Sequence, residues 1–440
     1  MSVKLHEKVA FGLGGIALTL PDIVFTQWIF MRYAPDEQDA LVKASVFGIV
    51  FLTARVVGAV AEPLIGYWSD SCRSKWGRRM PFVRFGLVPL AILFFLMWCP
   101  PVKGLSLINA IYAYLVIQLY LLFYPGVLTP YLSLLTEIGN TSQERVGLMT
   151  AQGVFVMIGS IVFGLVGVVL NKFGWEVMAL IVASITFVSL LPIAVIGKER
   201  NLTSGMKEGM SFLSSVVLVL KSKAFRHLVL GTSFYFLAFT CILISLPFWV
   251  KVYLGMGEEV VSYLMLPLLL ITLILFLFVG MVVNRWGKYR VFSITLFLAS
   301  VGLFLLAGVG LYPIGKPLHH LFGVIIWMSV PVAGLAVLPF AILTDVIDED
   351  ERRTGTRREA IFFAIQGTIQ KIFIGCAGGL FSLLAYWGGG NNVTEMGLRL
   401  VAMTGGVSVL IGFFIFLGYP LKDVDVVRQS TMSDKLGGVE

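Results

Sequence analysis

Twelve apolar runs of about 20 residues succeed one another along the chain, near 9–31, 44–67, 82–100, 105–136, 147–170, 175–197, 225–251, 258–283, 291–312, 321–344, 359–387 and 396–419. A run of that length crosses the hydrocarbon core as a helix. Lipid offers no partner for a stray backbone N–H or C=O, so a chain dominated by such runs is confined to an all-α polytopic bundle. Composition agrees, with 58% hydrophobic and 13% charged residues and a mean hydropathy of +0.91. A soluble domain carries about 25% charged residues. Little chain is left over for a soluble domain.

Orientation follows from Lys and Arg. With the N-terminus inside, 24 of the 33 fall in cytoplasmic segments and 7 in the opposite loops, which predicts an integral, multi-pass plasma (inner) membrane protein with both termini cytoplasmic. The same flanks account for the net charge of +8 without any nucleic-acid partner. The opening MSVKLHEKVAF runs straight into the first span and reads as an uncleaved helix. Cys72, Cys99, Cys241 and Cys376 are scattered, which predicts neither a disulfide nor a metal site.

The chain repeats itself. GYWSDSCRSKWGRRMPF at 66–82 follows the second span, and GMVVNRWGKYRVF at 280–292 follows the eighth. PYLSLLTE at 130–137 likewise answers PFAILTD at 339–345, at a similar offset of about 210 residues. The expected organisation is a six-helix bundle over 1–197, a cytoplasmic linker over 198–224 with a short amphipathic helix, a second bundle over 225–420 and a cytoplasmic tail over 421–440. Two similar bundles about a cavity form the architecture of major facilitator transporters, in which the bundles rock to expose a midplane site to each side in turn.

Charges inside spans are costly and so point to function, at about 2.5–3.5 kcal/mol each on insertion scales. Arg55 and Glu62 stand in the second span, seven positions apart. That is close to two helical turns, about 10 Å, so they share a face but are too far apart to neutralise each other. Each needs a partner from another helix, and Lys371 is the candidate for Glu62. Asp22 in the first span, near Thr19 and Gln27, is a further buried acid.

The first cytoplasmic loop sets Asp70 against Arg78 and Arg79, and the fourth span ends in Glu137 with Glu144 and Arg145 following. In the second half, the loop TDVIDEDERRTGTRRE places Asp345, Asp348 and Glu351 beside Arg357. These residues are expected to form a reciprocal inner gate of ion pairs across the bundle interface.

The ordered set resembles the glycoside–pentoside–hexuronide:cation symporter family, which includes melibiose permease and the lysolipid symporters. The resemblance rests on Gly12 and Gly14, Arg55 to Pro63, Trp76-Gly77-Arg78, Pro130-Tyr131, Glu144-Arg145 and the stretch from Asp345 to Lys371. It implies cation-coupled symport of a small organic solute, a sugar or glycoside, by alternating access, with a lysolipid or other amphipathic solute as the alternative. The family's second-helix pattern carries two acids, but here the first position is Gly58 and only Glu62 remains. A sodium ion wants several convergent oxygens, whereas a single shielded carboxyl can load and release a proton near neutral pH. The coupling ion, H+ or Na+, therefore leans towards the proton. Lys371 matches a helix 11 lysine that competes with the cation, and Gln366 a substrate-site glutamine.

The resemblance places the sugar permease's helix 1 acid at Thr19, and Asp22, one turn on, is expected to replace it. The galactoside-binding acid and arginine fall on Leu128 and Gly153. Their loss leaves Thr19, Gln27, Gln118, Tyr124, Gln152 and Gln366 as expected substrate contacts. GLYPIGKP at 310–317 nearly matches a phosphate loop but lacks the Ser or Thr for magnesium and follows no strand. No cofactor beyond the coupling ion is expected, and the partners are a small solute, the cation and membrane lipid around a monomer. A membrane enzyme would need a catalytic constellation the spans do not contain, and a sensor would need an effector domain.

Overall fold

The computed structural model of the chain describes residues 3–36, 38–139, 141–197, 212–313, 315–355 and 359–421. Those residues are helical, without a named strand. The first half contributes α1 (Leu5–Tyr33), α2 (Ala44–Ser71), α3 (Met80–Leu96), α4 (Leu107–Ile138), α5 (Ser142–Gly164) and α6 (Val166–Ile196). A ten-residue α7 (Phe212–Lys221) lies in the linker region. The second half contributes α8 (Lys223–Phe248), α9 (Glu259–Trp286), α10 (Lys288–Ala307), α11 (Pro317–Thr354), α12 (Glu359–Leu384) and α13 (Glu395–Leu417). Eleven of these are long and apolar enough to cross a membrane, and the 17-residue α3 completes twelve.

Helix ends follow local chemistry. Thr141 and Glu144 form a reciprocal cap on α5, in which the Thr141 hydroxyl accepts from the Glu144 amide at 3.2 Å. A second Glu144 oxygen accepts from the amide of Val3 at 3.1 Å, tying the start of the chain to α5. α6 is broken at Gly174, whose φ of +79° favours glycine, and this is where the hydropathy minimum separates the fifth and sixth apolar runs. α11 departs from expectation. The acidic and basic stretch after the tenth run is not a loop: it continues the helix to Thr354, where Gly355 at φ +68° ends it. Arg353 and Glu349, one turn apart, pair at 2.7 Å on its exposed face. Gly310 ties to the start of α11, its amide donating to Nδ1 of His320 at 3.2 Å.

The chain packs as two compact units, Met1–Met206 with Thr240–Leu269 and Ile374–Val401, and Lys207–Phe239 with Leu270–Phe373 and Ala402–Glu440. The first unit thus joins the first six spans to portions of α8, α9, α12 and α13. At the end of α1 remote from the N-terminus, Phe381 of α12 sits 5.2 Å from both Phe30 and Phe248. Tyr386 donates to the Ala34 carbonyl there, and Ser262 of α9 accepts from the Val168 amide at 3.2 Å. Three tryptophans, Trp28, Trp98 and Trp175, stack beside this end, and Arg32 lies 5.7 Å from the Trp175 ring.

Candidate functional site

The charges of the first two helices meet. Arg55 of α2 reaches Asp22 of α1, Nη1 to Oδ1 at 2.6 Å, and its Nη2 donates to the Thr26 hydroxyl. Thr26 and Asp22 are one turn apart, and the Thr26 hydroxyl also donates to the Asp22 carbonyl at 2.7 Å. The guanidinium lies 5.0 Å from the Phe25 ring and 5.4 Å from Phe51, which stack on each other. Arg55 is 7% exposed, so the guanidinium is buried, while the Asp22 side chain is 33% exposed. Breaking such a pair from one side leaves an uncompensated buried charge.

Glu62 stands two turns along α2 from this pair and is partly exposed. Between them is Gly58, where α2 comes so close to α4 that a Cβ would lie 3.2 Å from the Leu121 carbonyl oxygen. A side chain there requires the α4 backbone to give by a few tenths of an ångström. The resemblance's missing acid is therefore replaced by contact between two helix backbones.

Tyr124 of α4 lies within electrostatic reach of Asp22, Arg55 and Glu62. Its hydroxyl donates to the Leu18 carbonyl at 2.6 Å. The Gln118 amide donates to the Thr53 hydroxyl at 2.7 Å. Among the described residues, Gln118 Oε1, Gln27 Nε2, the Tyr120 hydroxyl and Arg55 Nε are buried with no hydrogen-bond partner. Buried polar atoms left so are uncommon and costly. Four such atoms lie on α1, α2 and α4, the helices that carry the ion pair or pack beside it.

Not every expected contact lines this region. Thr19 bonds the Gly15 carbonyl of its own helix at 3.2 Å. Gln152 donates to the Tyr131 hydroxyl at 3.1 Å, and Tyr131 donates to the Phe11 carbonyl at 2.6 Å, a strut that holds α4 and α5 to α1. Gln366 of α12 belongs to the second unit, where it is 2% exposed and both amide atoms lack a partner among the described residues. Lys371 lies on the same helix and in the same unit, while Glu62 belongs to the first.

At the helix 2–3 end and its counterpart in the second half, ion pairs form among residues expected to make a gate. Glu137, at the end of α4, accepts from Arg78 at 2.7 Å and lies 3.4 Å from Arg79, which also donates to the Ser133 carbonyl. In the second half, Lys288 pairs with Asp345 at 2.7 Å. Each pair lies inside one half rather than across the two. Arg145 is occupied locally, its Nε donating to the Gly139 carbonyl at 3.0 Å. Asp348 and Glu351 are partly exposed along the continued α11. Arg357 and the side chain of Asp70 lie outside the described residues.

Sequence reasoning passed over Thr26, Thr53, Phe25 and Phe51. The available signal was helical spacing, since Thr26 follows Asp22 by four positions and therefore shares its face.

The comparisons with known proteins extend over nearly the whole chain. The MFS/sugar transport protein family matches residues 10–423. An isoprimeverose transporter of Lactiplantibacillus pentosus is 23% identical over 88% of this chain and 81% of its own length. A sodium-dependent lysophosphatidylcholine symporter of Danio rerio is 22% identical over 96% of this chain and 87% of its own. Among solved structures, a D-xylose-proton symporter superposes with a TM-score of 0.72 at 14% identity, covering 95% of this chain and 98% of that one, a likeness of fold. Matched along most of its length by the family's pattern, and carrying the Arg55–Asp22 ion pair in its membrane helices, the chain belongs to the MFS/sugar transport protein family and is a cation-coupled transporter, not an enzyme.

Proposed function

We propose that the protein uses a proton gradient to bring a sugar or glycoside across the membrane by alternating access, with Glu62 as the proton-carrying group. The observation that supports this most is the close approach at Gly58. It leaves α2 with one carboxylate where a sodium site calls for more oxygens. Arg55 is already charge-matched by Asp22, so that pair serves as a fixed support, and Gln27, Gln118 and Tyr120 offer the polar atoms for solute hydroxyls. Lys371 keeps the role the resemblance gives it, a positive charge against which the cation is bound and released. Both termini lie in the cytoplasm, so the packed end at Phe381 faces outward. The chain acts as a monomer in the plasma (inner) membrane.

A sugar is the leading solute because the relatives' names include an isoprimeverose transporter. The lysolipid reading draws on the 96% coverage by the lysophosphatidylcholine symporter and on Gly153, where a Cβ would meet open space in place of the expected arginine. The deciding experiment is counterflow in proteoliposomes with labelled pentosides, glucuronides and lysophosphatidylcholine, varying pH and sodium separately. Uptake of a sugar that follows an inward proton gradient and collapses with a protonophore is the expected result. Uptake driven by sodium with no pH gradient would overturn the proton assignment, and uptake of lysolipid alone would overturn the sugar.

A further inference from the structure

α2, α3 and α4 leave an apolar groove of about 470 Å³ in the first unit, beside the α2–α3 loop. Its walls include Ile65 and Trp68 from α2, Phe82 and Phe85 from α3, and Leu122 and Gly126 from α4. Phe85 is 63% exposed and Trp68 56%. In a chain that spans a membrane, an open apolar groove is filled by hydrocarbon rather than water. The open question is which lipid fills it.

The mouth of the groove is cationic. Trp76 of the loop lies edge-on to Phe85 at 5.4 Å, and the Lys75 ammonium stands 4.8 Å from the centre of the Trp76 ring. The indole thus carries the apolar wall out to a lysine, at the depth where Trp residues anchor helices to lipid headgroups. Arg73 and Lys75 are exposed, and among the described residues neither has a carboxylate partner. Their neighbours Arg78 and Arg79 are spent on Glu137 and the Ser133 carbonyl.

We propose that this groove holds an acyl chain of an anionic phospholipid, whose phosphate is bound by Lys75 and Arg73. A neutral or zwitterionic lipid would fill the hydrocarbon part but leave two exposed cations with no counter-charge. The same loop presents Arg78 and Arg79 to the end of α4, so a bound lipid steadies the segment that holds Glu137. Membrane composition thereby becomes an input to this end of the transporter, separate from solute and proton.

The test needs no transport substrate. The full chain is purified, stripped of lipid and offered equal amounts of dioleoylphosphatidylglycerol and dioleoylphosphatidylcholine, with retained lipid counted by native mass spectrometry. Phosphatidylglycerol is expected to bind roughly tenfold more tightly, given the attraction each basic residue exerts on an anionic headgroup. Arg73→Gln with Lys75→Gln should reduce that preference to about twofold or less. Gly126→Leu should weaken both lipids, because a Cβ there meets only Ile65 Cδ1 at 3.9 Å and the added side chain fills the groove. Phe85→Gln, on the exposed wall, is the companion variant should Gly126→Leu disturb packing. Bound phosphatidylglycerol should also slow maleimide labelling of Cys72, which lines the groove. Equal retention of the two lipids by the wild type overturns the proposal. So does a preference that survives removal of both cations, or binding untouched by both groove variants.

Discussion

The two halves carry the same ion pair and different chemistry. Arg78 and Glu137 in the first half are 2.7 Å apart, and Lys288 and Asp345 in the second are also 2.7 Å apart. Each joins the residue after a Trp-Gly turn to an acid on the helix two spans on, and the turn glycines, Gly77 and Gly287, both have positive φ. The midplane charges have no such echo. α9, the counterpart of α2, has no charged residue between Glu259 and Arg285, whereas α2 holds Arg55 and Glu62. What is repeated is the Trp-Gly turn and its ion pair, and what is not repeated is the pair of charges within the second helix. A charge in a membrane helix is expensive enough that it persists only where it acts.

The sharpest way to break this contrast is Glu62→Gln. Accumulation against a gradient should be lost while solute exchange survives, as read by gradient-driven uptake and counterflow in the same proteoliposomes. Loss of neither would show that the coupling group lies elsewhere. Arg55→Leu should come next, destabilising the fold by about 3 kcal/mol because it leaves Asp22 without its counter-charge. Asp22→Asn in the same background should restore part of that loss, and the coupling is measured by a double-mutant cycle on thermal unfolding. Full transport with an unchanged pH profile in Asp22→Asn alone would remove Asp22 from the coupling scheme.

The scaffold pairs should be unequal. The Glu137 side chain is 4% exposed and faces two arginines, while Asp345 is 16% exposed and faces Lys288. Glu137→Gln should therefore cost about 2 kcal/mol and Asp345→Asn about 1 kcal/mol or less. Equal losses would mean that the second arginine adds nothing. The smallest effect concerns the packed end of the first unit. Burial, and after it the Glu176 carboxylate, push the Cys99 thiol up from its ordinary value. Its thiolate fraction at neutral pH is correspondingly low, so maleimide should label it severalfold more slowly than an ordinary thiol. The rate should climb with pH beyond the usual thiol range, and an ordinary profile would refute the buried setting.

Much of this was legible in the linear chain because hydropathy and helical period act locally. The twelve spans, the break at Gly174 and the paired loops all follow from nearest neighbours along one helix. The partner of Arg55 was not legible, because Asp22 is 33 positions away and only the packing of α1 on α2 decides which faces meet. The loop after the tenth run was misread for a related reason. Its charges suit a solvated connector, yet the i to i+4 pairing of Glu349 with Arg353 and the distant stop at Gly355 suit a helix equally well. Gln152 and Tyr124 were singled out by residue type, and only packing decided that Gln152 donates to the Tyr131 hydroxyl and Tyr124 to the Leu18 carbonyl.

By itself, the sequence determined a polytopic helical transporter with paired loop motifs and a few charges inside its spans, because lipid forces each apolar run into a helix and makes each charge within one conspicuous. Only the tertiary structure decided that Arg55 is answered by Asp22, that Gly58 lies against the α4 backbone and that Arg78 pairs with Glu137 and Lys288 with Asp345. These outcomes turn on distances of a few ångströms between segments far apart in the chain, and no local pattern encodes them.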